Sequence, residues 1–475
     1  MDRIYVKDVA LATGGKIISG NPDAPIDSVC MDSRVVSDNA LFVAIPGERM
    51  DGHKFLDSAF QKGASCALIS REVEAPKGMA CVLVDETVYA LQELSRWYMS
   101  EHLSMKKVAI TGSVGKTTTR DLLFAAVSSK EKAGKNEKNY NSETGLPLTV
   151  LTFDKDMKVG IMEMGTGGGM DEVSRLADLV RPDVAIITNI GVSHIEYFGT
   201  RDRILEAKLG IAKYFSEGNT LVINADDDKL VSLIDSELSY KIVTVGSGSA
   251  ECDVDFLVTD VCERGIDGLS FNVSHAGKNH SAYIPVPGVH NAMNAGLAIA
   301  AAYTIGIPVE DSISGMANMT TTGSRLKVIE IGDFRIIDDS YNAAPESMKS
   351  ALTTLVSGEA RRKIAVLGDM NELGKESESM HFSLGRYAAE KEIDILVTVG
   401  EKAMAIADGA DALIKETSSA GSYSSMNVIR CADTEELFSR LREIIKDGDL
   451  ILFKASRGMA LDEVVQKIET EYRDK

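Results

Sequence analysis

The residues best suited to chemistry lie in one run, Thr111-Gly112-Ser113-Val114-Gly115-Lys116-Thr117-Thr118. An apolar stretch, Val108 to Ile110, leads into it, and Leu122, Leu123, Phe124 and Val127 follow at helical spacing. Strand, glycine turn, Lys-Thr and helix is the layout that turns main-chain N–H groups toward phosphate oxygens. In that layout Lys116 neutralises the outer phosphates and the Thr117 hydroxyl is a ligand for Mg²⁺. The general phosphate-loop pattern asks for glycine where this chain has Ile110. The loop is therefore a shortened variant.

Other chemistry-bearing residues stand beyond predicted strands. Glu163 ends the apolar run in GIMEMG, where an acid can hold Mg²⁺ directly or through water, or can cap the next turn. His194 lies in TNIGVSHIEYFG, and at a strand's carboxyl end beside a phosphate loop it suits metal or phosphate contact. Lys208 sits on a predicted helix on the same side; from the residues alone it is a surface lysine. Asp32-Ser33-Arg34 precedes a predicted strand, and Arg34 either pairs with a phosphate or forms a surface pair with Asp32.

The elements that must position these groups follow from the hydrophobic pattern. Residues 1–103 form a small α/β unit, with a strand at Leu41 to Ile45, a helix from Gly52, and a helix through Leu91, Leu94, Trp97 and Tyr98 ending near His102. Residues 104–318 alternate strands (Val108 to Ile110, Val159 to Met162, Val184 to Thr188, Thr220 to Ile223) with helices, which implies a P-loop-type parallel sheet. Ligands of such sheets sit beyond the carboxyl ends of the strands, where the polar clusters converge. Residues 241–285 read as a small antiparallel sheet. From 319 to 475 the pattern restarts with a hairpin turning at Gly332-Asp333 and strands at Lys363 to Leu367, Ile393 to Val399 and Leu450 to Phe453. The fold class is α/β in three domains, the last Rossmann-like.

Composition bounds the rest. With 44% hydrophobic and 26% charged residues over 475, the chain reads as several globular domains. A net charge of −20 argues against nucleic-acid or anionic-membrane partners, yet leaves room for a local basic pocket. The six cysteines show no CxxC spacing and read as reduced. No signal pattern or bilayer-length apolar run is present, so the expected location is cytoplasmic. The residues themselves say nothing of oligomeric state, and a monomer is the expectation.

Together these motifs resemble the Mur ligases along essentially the whole chain. TGSVGKTT, EMG, TNIGVSHIEYFGT with its downstream Ala207-Lys208, and GVHNAMN are similar to that family's ATP-binding middle domain. DSR and PGERMDGHKF resemble its nucleotide-sugar-binding domain; GSRLKV, DDSYNAAPESM, GDMNELG with His381, and KASRG resemble its C-terminal domain. Within the family, DDSYNA and GDMNELG are most similar to the type that adds D-alanyl-D-alanine to UDP-N-acetylmuramoyl-tripeptide. The DNPR of members adding a diamino acid is absent.

The resemblance implies ATP and Mg²⁺, and an acyl phosphate on the peptide carboxylate that the dipeptide amine attacks. It implies ATP contacts at Gly112, Ser113, Val114, Gly115, Lys116, Thr117, Thr118, Asn291, Arg325, Asp339 and Asn342. It makes Thr117, Glu163, His194 and Lys208 the metal set, Lys208 matching a lysine that is carbamylated in several members. It gives Lys116, His194 and Lys208 the catalytic roles, and Asp32, Ser33, Arg34, Lys454 and Ser456 the substrate contacts. Two departures stand out: Ala344 replaces the second asparagine of YNANP, and Ala455 the glycine of KGS. A single-amino-acid or folate-glutamate ligase, and a phosphate-loop switch or kinase, remain the alternatives; the last leaves His194, Lys208 and Arg325 unexplained.

Overall fold

Four sheets organise the chain in this computed structural model, which describes residues 1–475 apart from 48–49, 138, 249–251, 320–324, 420–425 and 474–475. PGERMDGHKF and GSRLKV therefore run partly outside the described residues.

A two-stranded pairing, Ile4–Tyr5 with Pro25–Ile26, precedes a five-stranded sheet ordered Lys16–Ser19, Ala80–Leu83, Ala64–Ile69, Ala40–Val43, Ser28–Cys30. The helix expected from Gly52 starts as a tight turn, Gly52–Phe55, because Asp51 accepts the His53 N–H, and continues as Leu56–Gln61. Helix Thr87–His102 begins where Glu86 accepts the N–H groups of Val88 and Tyr89, and it buries Leu91, Leu94 and Tyr98. The Tyr98 hydroxyl donates to Phe153 O at 2.8 Å, tying this helix to the central sheet. One apolar cluster runs from Ile4 and Leu91 through Tyr98 to Leu176 and Leu221. The first sheet and one face of the central sheet thus share a core.

The central sheet has nine strands, ordered Lys278–Ile284, Leu269–His275, Phe256–Glu263, Lys241–Ser247, Thr220–Asn224, Val184–Ile187, Lys106–Thr111, Val159–Glu163, Ala133–Lys135. From Phe256–Glu263 onward every ladder is parallel. Val108 and Ile110 pack on one face with Leu122 and Leu123; Ala109 faces the other. Burying each such Val or Ile contributes about 1.5–3 kcal/mol. The segment 241–285 differs from expectation in attachment. Its first strand pairs in parallel, and only the last two ladders are antiparallel, as an edge fused to the main sheet. Continuous main-chain pairing between Val245–Ser247 and Phe256–Val258 makes the two one sheet.

The six-stranded third sheet is ordered Lys327–Ile331, Phe334–Asp338, Asp449–Lys454, Arg362–Gly368, Ile395–Val399, Asn427–Cys431. Its hairpin turns at Gly332, whose φ of 54° suits glycine. The first hairpin strand starts at Lys327, because Leu326 takes a φ of 49° and gives its N–H to Asp339. Strand Asn427–Cys431 went unanticipated. It is an edge strand whose interior is half-buried, so it carries no continuous apolar run. Among the described residues no helix is long and apolar enough to cross a membrane.

Candidate active site

Strand Lys106–Thr111 lies inside the parallel sheet, between Val159–Glu163 and Val184–Ile187. Its carboxyl end opens into Gly112–Gly115, and helix Lys116–Ser128 starts at once with no side-chain cap. The first N–H groups of that helix are therefore unsatisfied by capping and suited to an anion. Two glycines are required on steric grounds. A Cβ on Gly112 would stand 1.9 Å from Thr188 Oγ1, and one on Gly115, where φ is 84°, 2.7 Å from Asn294 Oδ1.

Two ammonium groups share one acceptor here. Lys116 Nζ donates to Gly112 O at 2.7 Å and Ser113 O at 3.1 Å, while Lys208 Nζ donates to Gly112 O at 3.0 Å. Lys208 is 1% exposed, because helix Arg201–Leu209 turns Ile204, Ala207 and Lys208 inward together. Burial, then the neighbouring Lys116 charge, pushes the Lys208 ammonium well below its usual range. Burial lowers Lys116 as well. Lys208 is thus no surface lysine.

On the other side Thr117 Oγ1 donates to Glu163 Oε2 at 2.6 Å. Glu163 ends its strand buried; Oε2 also accepts from Arg120 at 3.3 Å and Oε1 from Asn141 at 2.8 Å. Asn136 brackets its main chain, accepting the Glu163 N–H and donating to its carbonyl. With its proton committed to Glu163, the Thr117 hydroxyl keeps its lone pairs for a cation. Among the described residues no group of three His, Cys, Asp or Glu side chains could hold a metal alone. One hydroxyl and one carboxylate beside a phosphate site suit Mg²⁺, which keeps waters and phosphate oxygens as its other ligands. The residues fit the ion.

His194 precedes the short helix Ile195–Phe198 with a left-handed φ of 63°. Burial, then Lys116 and Lys208, push its imidazole down to about 4. Its Nδ1 lies 2.5 Å from Glu372 Oε2 but out of line for a hydrogen bond and otherwise without a partner. With a neutral ring this is a close contact rather than an ion pair, and it joins the central sheet's loops to those of the third.

The third sheet completes a cavity of about 710 Å³ against the phosphate loop, lined by Lys116, Thr117, Arg325, Asp339, Asn342 and Lys454 among others. Lys454, 3% exposed, donates to Asp339 Oδ2 at 2.5 Å and Asn342 O at 3.0 Å. Desolvation nevertheless raises the Asp339 carboxyl above its ordinary value. Arg325 lies over the Tyr341 ring, 4.2 Å from its centroid. Ser456 is equally buried, its hydroxyl accepting the Asn371 N–H. His381 is a structural support: its Nε2 accepts the Met370 N–H, and Nδ1 donates to Ser377 O.

Of the sequence candidates, Gly112, Glu163, His194, Lys208 and Ser456 lie behind the cavity wall, and Asn291, Asp32, Ser33 and Arg34 also stand apart from it. The Asn291 carboxamide is committed to Pro287 O and Asn294; Asn294 and His290 line the cavity. Asp32 and Arg34 form an exposed bidentate pair, the Arg34 side chain 83% exposed, which holds the Asp32 carboxyl down at about 2. Ser33 gives its carbonyl to Lys62.

Comparison with known proteins meets this geometry. Three family models match in order: Mur ligase family, catalytic domain (25–96), Mur ligase middle domain (110–302), and Mur ligase, glutamate ligase domain (324–457). UDP-N-acetylmuramoyl-tripeptide–D-alanyl-D-alanine ligase of Bacillus subtilis is 37% identical over 98% of both chains. The chain belongs to the Mur ligase family. The ligase of the same name from Escherichia coli is 30% identical over 94% of both chains. Among solved structures, MurF from Acinetobacter baumannii superposes with a TM-score of 0.85 at 27% identity over 99% of both chains. MurF ligase from Thermotoga maritima in complex with ADP superposes at 0.76 and 27%, covering 94% of this chain and 98% of that one.

Within this Mur ligase several residues around the loop escaped the sequence reading. Arg120 is buried between Asp121 and Glu163; a charged pair on a helix that should bury that face was the available signal. Asn294 follows Asn291 at helical i,i+3 spacing, which places both at one end of helix His290–Thr304. Asn141 offered none, since its contact with Glu163 is purely tertiary.

Proposed function

We propose that this Mur ligase joins D-alanyl-D-alanine to UDP-N-acetylmuramoyl-tripeptide at the expense of ATP, with Mg²⁺, during cytoplasmic peptidoglycan precursor synthesis. The observation that carries the reading is end-to-end similarity to the Bacillus subtilis ligase of that name, at 37% identity over 98% of both chains. In this reading residues 1–103 take the UDP-linked peptide, with Asp32, Ser33 and Arg34 toward it. Residues 104–318 take ATP, residues 319–475 close over it, and the chain acts as a monomer.

The residues divide the work by charge. A carboxylate acylates an amine only after its oxygen becomes a leaving group, and transfer of the terminal phosphoryl group of ATP onto it supplies one. That transfer brings two anions together, so positioning and electrostatics are the main need. Lys116 leaves its loop carbonyls for the outer phosphates, while the N–H groups at the start of helix Lys116–Ser128 take the others. Thr117 and Glu163, with His194 and Lys208, would hold Mg²⁺, whose charge would neutralise that of the phosphates. Lys208, held low by burial and by Lys116, is an amine that CO₂ would convert, with loss of a proton, into an anionic carbamate suited to the metal set. Arg325, Asp339 and Asn342 approach the nucleotide from the third sheet, and Asn291 supports its adenine side through Asn294. Lys454 and Ser456 border the incoming dipeptide, and closure excludes water from the acyl phosphate.

The test is phosphate release with each substrate omitted in turn. Release should need ATP, the UDP-linked tripeptide and D-alanyl-D-alanine together, and Lys116→Ala should slow it by about 10²-fold or more. Equal release without the dipeptide, or with a single amino acid in its place, would overturn the assignment. Running the assay with lysine- and diaminopimelate-containing donors identifies the third peptide residue.

A further inference from the structure

We infer that Asn189 is a positioning residue that braces the shortened phosphate loop from outside. The inference rests on the reading that a nucleotide occupies this loop.

Beyond the Lys116 bonds to Gly112 O and Ser113 O, the loop is held from the neighbouring strand. Its Ser113 N–H donates to Asn189 O at 3.0 Å, and its Val114 N–H to Asn189 Oδ1 at 3.0 Å. Asn189 Nδ2 returns a bond to Val114 O at 3.0 Å, and Thr188 Oγ1 donates to the same carbonyl at 2.6 Å. One carboxamide thus satisfies both main-chain groups of Val114, as a neighbouring strand would. Only this amide orientation works, since the reverse would set donor against donor and acceptor against acceptor. Aspartate lacks the donor, leucine lacks both groups, and glutamine is longer by a methylene.

Asn189 is itself held on both sides. Thr188 N–H continues the sheet ladder to Thr111 O. Ile190 N–H donates to Asp227 Oδ2 at 2.7 Å, and Arg201 Nε donates to Ile190 O at 2.8 Å. The brace is therefore anchored to the next strand's loop and not merely resting on the phosphate loop.

Two consequences follow. The N–H groups of Ser113 and Val114 are spent on Asn189, so a phosphate must take its main-chain bonds from Gly115 onward. The bonds from Asn189 and Thr188 also hold the loop by contacts internal to the chain, which lowers the ordering cost of nucleotide binding. A loop that lacks glycine at Ile110 obtains from a neighbouring strand what its own sequence does not supply.

Asn189→Leu preserves size and removes both side-chain bonds; Thr188→Val removes the third bond to Val114 and serves should Asn189→Leu not fold. ADP affinity is measured by calorimetry, and KM is measured separately for ATP and for the UDP-linked tripeptide. Asn189→Leu should raise the ADP Kd and the KM for ATP by about tenfold or more while the tripeptide KM moves less than about twofold. Thr188→Val should shift the same two constants by a smaller factor. A nucleotide Kd unchanged in both variants, or an equal shift in the tripeptide KM, overturns the inference. Wild-type protein that binds no ADP, or Lys116→Ala with undiminished ADP affinity, would instead count against the nucleotide reading itself.

Discussion

Replacing Lys454 by methionine should uncouple the third sheet from its own site. The ammonium donates to Asp339 Oδ2 at 2.5 Å and Asn342 O at 3.0 Å, and both charged side chains are buried. Removing one partner of such a pair leaves the other desolvated without a counter-charge, which costs about 3–5 kcal/mol. Asp339 retains one donor, the Leu326 N–H at 3.3 Å, so the expected cost is near 3 kcal/mol. Adding Asp339→Asn removes the orphaned charge. The double variant should then lie about 2 kcal/mol above the sum of the single effects. The pH dependence has a defined sign. Burial raises the folded-state pKa of Asp339, so its protonated form is favoured in the folded chain at low pH. Without Lys454 that pKa rises further, and the variant's deficit grows as pH climbs through it and shrinks as pH falls. Hydrogen exchange of strands Phe334–Asp338 and Asp449–Lys454 reads this locally. A Lys454→Met deficit below about 1 kcal/mol, or strict additivity in the double variant, would refute the coupling.

Three further outcomes are expected. His194, pushed down to about 4, binds its proton more readily in the unfolded chain, so its contribution to stability should fall from pH 6.5 to about 4 by about 3 kcal/mol and level off below; the pH slopes of unfolding free energy in wild type and His194→Gln, from urea titrations, should differ in that window alone. Lys208→Met removes a buried ammonium that shares an acceptor with Lys116; it should raise unfolding free energy by about 1–2 kcal/mol while abolishing phosphate release, and lower stability would contradict the desolvation argument. Ala344 stands at the N-cap of helix Pro345–Ser357 without a side-chain acceptor, and Ser347 Oγ reaches back to its main chain; Ala344→Asn should stabilise by about 1 kcal/mol, measured by urea midpoint, and leave dipeptide preference unchanged.

The parallel sheet was legible because its strands are buried on both faces and therefore read as unbroken apolar runs, as Val108 to Ile110 and Val184 to Ile187 do. Helix Thr87–His102 was legible to its last residue, since Leu91, Leu94 and Tyr98 repeat at helical spacing. An edge strand escaped and an interior one changed its attachment: Asn427–Cys431 has little to bury, and the pairing of Lys241–Ser247 depends on neighbours that no local pattern names. Among site residues, Glu163 could be read from its place at a strand end. The burial of Lys208 could not, because it depends on how helix Arg201–Leu209 rolls against the sheet. The bracing by Asn189 was hidden for the same reason: a carboxamide's partner 75 residues away leaves no periodic trace.

The net charge of −20 and the site stand in opposition, and the opposition has a physical sense. Buried anions here already have partners: Glu163 has Thr117, Arg120 and Asn141, and Asp339 has Lys454. The cations facing the loop are matched differently. Lys116 leans on two loop carbonyls, and Arg325 lies over an aromatic ring. A carbonyl or a π face offsets a full positive charge far less than a carboxylate does, so these groups remain available to a polyanion. The third sheet brings Arg325 to a cavity whose opposite wall holds Lys116. On the proposed reading, a triphosphate between them is the missing counter-charge that draws the two walls together. The phosphate loop then serves closure as well as binding.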